Sequence, residues 1–520
     1  MDRVSKWITA AYAAAAVALA ALLPANLLAR LFQDDAFFYL SIARNFAAGK
    51  GSSFDGLHPT NGYHPLWMLL LSLFHHLVPL RGEVGLRGVI LLDATLFVVA
   101  LLTMGTLLAR VGLSATAQRC ATAVAVATVG FANFGLEAFV WLAAFWWFAA
   151  VSWRLADRPA GAGTYLLAAL SVVACYLGRS DSALFIAAIG GYLTVVLVAR
   201  DGERGAGLAL ASIWAPLVWV AVAQAAVNRA YFGSAHTISS ALKVGRASLA
   251  FEMLRADDGR ALQTTLHRGV FLGVVGASAL AVTLLAGSDW RDAARNHWRR
   301  LLVAANVYVF LFCTAALLTL TEPPRTWYYT VAFSVLTVSG LSILEWRRAA
   351  TPRKWPLYAG AALVGLLALG SLAAQARLSP RDNSLAAAAW LRSHATPDTI
   401  SYVTDGSGII SYFSERPVID GDGLVNTFHF KDCVERRQLD DYLRENDVAI
   451  VIANVNGASV PPMVTLSTPS WWHGRGYVFA RAGADKALAR FTGGGHFGFV
   501  PFRAADLELV RPGGLALGAM

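Results

Sequence analysis

Apolar residues fill most of the chain in blocks of the length that crosses a bilayer, roughly 20 residues of helix each. Eleven blocks qualify, near 8–31, 86–109, 118–134, 136–153, 163–178, 182–199, 207–228, 269–286, 300–320, 327–344 and 356–376. A further stretch, 63–80 (YHPLWMLLLSLFHHLVPL), is apolar but carries His75–His76 and has prolines towards both ends. The pattern changes near Arg377. DNSLAAAAWLRSHA reads as a helix with Asp and Asn at its start. TISYVT, VAIVIANV and GYVFARA are β-branched or aromatic runs bounded by turn residues, and read as strands. KDCVERRQLDDYLREN, between them, reads as one amphipathic helix. The fold expected is therefore a polytopic α-helical membrane part over 1–376, with a first loop at about 32–85. A soluble α/β part follows over 377–520.

Composition agrees. Of 520 residues 56% are hydrophobic and only 15% charged, against about 25% charged in soluble proteins. The net charge of +10 bears on partners only through where it sits. With Arg3 and Lys6 cytoplasmic and 63–80 not crossing, the basic loops (RDAARNHWRR and EWRRAATPRK among them) all fall on the inner side. If 63–80 crossed, every later loop would flip. It is therefore expected as an amphipathic helix at the outer surface, in a multi-pass protein of the inner (plasma) membrane with the C-terminal part extracytoplasmic. Nearly all of the excess charge is then an orientation signal. The partner it implies is the lipid bilayer, and nucleic acid is excluded. The first apolar run is too long for a secretory signal and reads as a retained helix. The four cysteines offer neither a disulfide pair nor zinc spacing.

Ionisable groups at membrane ends are costly unless solvated, paired or functional, and here they gather on the outer side. Asp34 and Asp35 open a short helix in which Phe37, Phe38 and Ile42 recur at helical spacing. Helix-start carboxylates are common as caps, whereas the chemical reading is a general base held at the membrane surface. Glu137 lies between two spans, and Arg179 and Asp181 between the next two, where they can pair with each other. Lys243 and Arg246 follow the seventh span, and Arg325 begins RTWYY, which includes Tyr328. A lone basic residue here is more often a snorkelling anchor. Several around a carboxylate pair suit an anionic, lipid-linked substrate.

The ordered set DDAFFYLSIARNFAAGKGSSFDGLHPTNGYHPLW, GLE (135–137), GRSD (178–181), YFG with SSALK (231–243) and DGLVN (422–426) resembles the GT-C fold, polyprenyl-phosphate-sugar-dependent glycosyltransferases. The likeness is to the arabinofuranosyltransferase and protein O-mannosyltransferase branches. Ser180–Asp181 stands where relatives often have Pro-Glu. The resemblance implies sugar transfer from a polyprenyl-phosphate donor to a hydroxyl of a glycan, lipid or protein acceptor, with inversion. Asp34 would be the catalytic base, with Asp35 beside it. Lys243 and Arg325, with Arg179, would neutralise the leaving phosphate. Glu137 and His64 would contact sugar hydroxyls or orient the base, and Arg246, Asp181 and Tyr328 are counted among the substrate-binding residues, although Tyr328 also suits an interfacial anchor. A divalent metal cofactor serves some relatives and not others, so both alternatives stand; Asp35 would be its ligand. The C-terminal part would help recognise the acceptor, its acidic pairs forming solvated surface. The alternative is a transporter or flippase of a lipid-linked sugar, which calls for ionisable groups near span centres and a half-repeat. Only Asp93 sits that way.

Overall fold

The structure is a computed structural model. It describes residues 1–130, 134–243, 261–286, 293–319, 326–347, 382–436, 438–456, 463–467, 478–481, 486–491 and 497–510. The span expected at 356–376, Arg246 and Arg325 lie outside the described residues.

Helix α1 (Arg3–Leu22) is capped by Asp2, whose carboxylate accepts from the Val4 and Ser5 N–H groups. Pro24 has no N–H to continue it, so the run expected over 8–31 breaks into α1 and a short α2 (Ala25–Arg30). Helix α3 (Asp34–Ala47) and α4 (Pro65–His75) follow. Eleven residues of α4 extend about 16 Å at 1.5 Å per residue. That is too short to cross a bilayer, in keeping with the expectation that 63–80 does not span. The bundle continues with α5 (Gly82–Arg110), α6 (Ala115–Val129), α7 (Ala138–Asp157), α8 (Ala162–Gly178) and α9 (Ser182–Ala209). Inside α9 the chain turns back at Gly202, whose φ of 59° is open to glycine at little cost. This separates the spans expected at 182–199 and 207–228. A π-helical turn (Leu210–Trp214) leads into α10 (Ala215–Phe232), which ends on Gly233 at φ 78°. Helices α11 (Ile238–Lys243), α12 (Ala261–Ala286), α13 (Ala293–Thr319) and α14 (Thr330–Arg347) complete the described bundle.

Among the described residues, five helical segments are long and apolar enough to cross a membrane, and shorter apolar helices accompany them. Hydroxyls within these helices bond back to the preceding turn, as Thr103 does to the Val99 carbonyl (2.8 Å), which satisfies them where water is absent. One set of side-chain contacts ties helix ends together at the N-terminal side of the bundle. Arg119 pairs with Asp2 (2.9 Å), the Ser114 N–H donates to Glu345 (2.6 Å), and Arg200 reaches the Leu155 carbonyl (2.9 Å).

The C-terminal part opens with α15 (Asp382–His394) and carries β1 (Ser401–Val403), α16 (Ser407–Ser414) and β2 (Val418–Asp420). Then come α17 (Phe428–Glu435), α18 (Leu439–Glu445), β3 (Ile450–Asn456), β4 (Met463–Ser467), β5 (Val478–Arg481), β6 (Phe497–Arg503) and β7 (Glu508–Val510). A four-stranded sheet has the order β2-β1-β3-β6, its first three strands parallel and β6 antiparallel to β3. A three-stranded antiparallel sheet is formed by β4-β5-β7. The single helix expected in KDCVERRQLDDYLREN is instead the end of α17 and all of α18. Its buried positions, Phe430, Cys433 and Val434 and then Leu439, Tyr442 and Leu443, fall out of step with one 3.6-residue period between 434 and 439. Buried apolar side chains run without interruption from the bundle into this part.

Candidate active site

The order of residues on α3 decides what each can reach. Neighbours on a helix do not share a face, whereas positions three and four apart do. Asp35, Phe38 and Tyr39 therefore line one side of a cavity, together with Gly62, Tyr63, His64, Leu136, Glu137, Ser239, Lys243, Tyr328 and Leu424. Its volume is about 50 Å³. Asp34 and Phe37 face away from it, towards α16. The Gly408 and Ile409 N–H groups donate to the Asp34 carboxylate at 3.2 and 3.0 Å. Phe37 packs against Tyr412 and Phe413, with ring centres 5.3 and 5.8 Å apart. Of the two acids singled out in the sequence, only Asp35 borders the cavity.

The segment Thr60-Asn61-Gly62-Tyr63-His64 joins four elements in succession. The Thr60 hydroxyl donates to the Asn426 carbonyl (3.1 Å). Asn61 accepts from the Ile238 N–H (2.9 Å) and donates to the His236 carbonyl (3.0 Å), which fixes the start of α11 and so the reach of Ser239 and Lys243. Gly62 lies against Leu424, and a Cβ there would collide with the Leu424 carbonyl oxygen. His64 presents Nε2 to Glu137 at 3.5 Å, and Pro65 starts α4 where a missing N–H costs nothing.

Glu137 and Arg179 form the charged floor. Both are 2% exposed. Arg179 donates to Glu137 (2.6 Å) and to Asp181 (2.8 Å), and its guanidinium lies over the rings of Tyr328 (4.1 Å) and Trp141 (5.0 Å). The Tyr39 hydroxyl donates to the second Glu137 oxygen (3.1 Å) and accepts from the His64 N–H (3.3 Å). Burial alone would raise the Glu137 carboxyl, but His64 and Arg179 outweigh it and hold it below the usual carboxylate range. Burial lowers His64 below its ordinary value despite the nearby Glu137. Burial also acts to lower Arg179, yet Asp181 and Glu137 overcome it and keep the guanidinium charged. Lys243 donates to the Tyr328 hydroxyl (3.3 Å) across the cavity mouth.

Two supports come from positions that sequence reading left without a role in the site. Asp93 in α5 accepts from the Gly135 N–H (2.7 Å), and the Trp67 indole donates to the Gly135 carbonyl (2.8 Å). Gly135, at φ 81°, is thus held on both sides, which sets Glu137 at the start of α7. Of the acidic pairs of the C-terminal part, Asp440 and Asp441 lie at the surface, whereas Asp420 and Asp422 do not form solvated surface. Asp420 is fully buried and accepts from the Ser407 hydroxyl (2.6 Å) and the Val425 N–H (3.3 Å). Burial, and then the Asp420 charge, push the Asp422 carboxyl well above the ordinary range. Tyr39, Tyr63 and Leu424 were not foreseen as cavity residues. For Tyr39 the signal was present, since it lies four positions after Asp35 on a helix.

Among the described residues no group of three or more His, Cys, Asp or Glu side chains is placed to hold a metal ion. Glu137 is committed to Arg179 and Tyr39, and Asp34 to the α16 amides.

The fold that holds this cavity is also found among solved structures. The chain is similar to ArnT from Cupriavidus metallidurans bound to undecaprenyl phosphate, with 12% identity and a TM-score of 0.54 over 96% of this chain and 98% of that one. It is also similar to the Archaeoglobus fulgidus oligosaccharyltransferase in complex with Zn and sulfate, with 14% identity and a TM-score of 0.50 over 86% and 67%. Both are GT-C glycosyltransferases, and the fold of this chain is GT-C. A family described as a domain of unknown function (DUF8728) matches residues 372–499. No curated protein matches the sequence.

Proposed function

We propose that the chain is a glycosyltransferase of the extracytoplasmic membrane face. It moves a sugar from a polyprenyl-phosphate donor to a hydroxyl of a cell-envelope glycan, lipid or protein. The observation that carries this reading is the placement of Asp35 and Lys243 on one aromatic-lined cavity in a GT-C bundle. Asp35 takes the proton of the acceptor hydroxyl as its oxygen attacks the anomeric carbon. The bond from that carbon to the phosphate oxygen breaks, and the polyprenyl phosphate leaves with the electron pair. Attack opposite the leaving group inverts the anomeric centre. Lys243, oriented by Tyr328, balances the charge that grows on the phosphate, an interaction that strengthens in the transition state. Glu137 and Arg179 compensate each other and serve as a rigid floor for His64, Tyr39 and Tyr328. Arg246 and Arg325 are proposed as further phosphate contacts from the sequence alone.

The base is thus placed on Asp35, one residue beyond the position the resemblance implied. A cavity of about 50 Å³ holds water, not a sugar ring, whose sites run to roughly 300 Å³ and more. Admitting a donor sugar therefore requires the cavity to widen. Purified protein supplied with isotopically labelled polyprenyl-phosphate sugars is expected to release polyprenyl phosphate and label the acceptor. Asp35→Asn should lower the turnover number about 10²–10⁴-fold and Lys243→Met should weaken it less. Full turnover in Asp35→Asn would remove the base from that position.

A further inference from the structure

We propose that Asp34 is a positioning residue, the clasp that docks the C-terminal part onto the membrane part and so closes the cavity. Helix α16 needs a partner at its start. It begins after Gly406, which sits at φ 71° and supplies no side-chain cap. Its first N–H groups would be left unpaired. The cap comes from 374 residues away, as both oxygens of Asp34 accept from the Gly408 and Ile409 amides. A carboxylate at a helix N-terminus also meets the positive end of the helix dipole.

The fit is close on both sides. A Cβ on Gly408 would lie 2.5 Å from the Asp34 main-chain oxygen and 3.0 Å from each carboxylate oxygen. The Tyr412 hydroxyl, on the same helix, donates to the Gly82 carbonyl (2.9 Å) at the head of α5. Ser407, one residue before the clasp, donates to Asp420, and the loop after Asp420 carries Leu424 into the cavity wall. Asp34 thus acts on the cavity at two removes: it fixes α16, and α16 fixes the loop at 420–426. Its effect on sugar transfer rests on the reading of the Asp35 cavity as the reaction site; the docking does not.

Amide hydrogen exchange on the full-length protein in lipid nanodiscs tests this without any substrate. Exchange over 407–414 is expected to rise at least tenfold in Asp34→Ala and in Gly408→Ala, and by less in Asp34→Asn, which keeps one acceptor. Helix 138–157 should exchange as in the wild type, and Asp35→Ala should leave 407–414 protected. Unchanged exchange over 407–414 in Asp34→Ala overturns the proposal and returns Asp34 to the role of base. A rise spreading equally to 138–157 also overturns it, since a local clasp does not hold the bundle. If the wild type transfers no polyprenyl-linked sugar while these exchange differences stand, the functional reading fails and the clasp does not.

Discussion

Asp34 and Asp35 differ by one peptide bond, yet the helix turns that step into different chemistry, an amide clasp for one and a cavity wall for the other. A DD pair read as letters does not reveal this. The helical period does separate the two faces, but the partner of Asp34 lies 374 positions on and no local signal points there. The same holds for Arg179. Its pairing with Asp181 was legible from GRSD, whereas Glu137 joins it from 42 residues away. Because Arg179 and Glu137 are both buried, removing one leaves a stranded charge, at a cost of about 3–5 kcal/mol. Arg179→Met should therefore lower the unfolding temperature markedly, and replacing both residues by apolar ones should lower it less. Equal melting of Arg179→Met and wild type would show that the pair contributes nothing. Asp93 gives a companion test. Asp93→Asn keeps an acceptor for the Gly135 amide, while Asp93→Leu strands that donor at a cost of about 1–3 kcal/mol. Thermal unfolding of the two variants should separate them by that amount.

Elements were read well from the sequence where burial follows a plain period, and less well where one residue changes the chain's course. The strands Ser401–Val403 and Val478–Arg481 fall inside the runs expected, and Ile450–Asn456 passes the end of its run by one residue. The breaks at Pro24 and Gly202 shorten or divide helices that hydropathy alone runs together. Contacts between the loop before α4 and helix α18 lay beyond reach, since they depend on docking. There His58 Nδ1 donates a short bond to the Asp55 carboxylate (2.6 Å), and its ring lies 6.3 Å from that of Tyr442. The bond to Asp55 raises the His58 imidazole above its ordinary value despite burial, with Asn446 adding to the shift. A raised folded-state value means the stabilisation is complete below the unfolded value of about 6.5. It is lost as pH rises through the folded value. Amide exchange at 52–60 should accordingly quicken above neutrality, beyond the intrinsic rise with pH. His58→Gln should abolish that excess; an excess that persists in the variant would place its origin elsewhere.

At the scale of the whole molecule, docking and topology constrain each other. Thr60 bonds to Asn426, and Asp34 to Gly408 and Ile409, so the first loop and the C-terminal part share one side of the membrane. An even number of crossings must then separate them. The ten spans expected from the sequence between 86 and 376 would meet that requirement. The basic-loop rule would add the orientation. Single cysteines can check both. The native Cys120, Cys175, Cys313 and Cys433 are all buried, so they add little background. Leu57 is 51% exposed, Ser393 is exposed on α15 and Gly161 is exposed between α7 and α8, with nothing within 4 Å of an added Cβ. A membrane-impermeant maleimide applied to intact cells should label Leu57→Cys and Ser393→Cys, and Gly161→Cys only after permeabilisation. The reverse pattern would invert the orientation and put the cavity in the cytoplasm. Leu57→Cys and Ser393→Cys reporting opposite sides would break the parity, and with it the docking of the C-terminal part on the first loop.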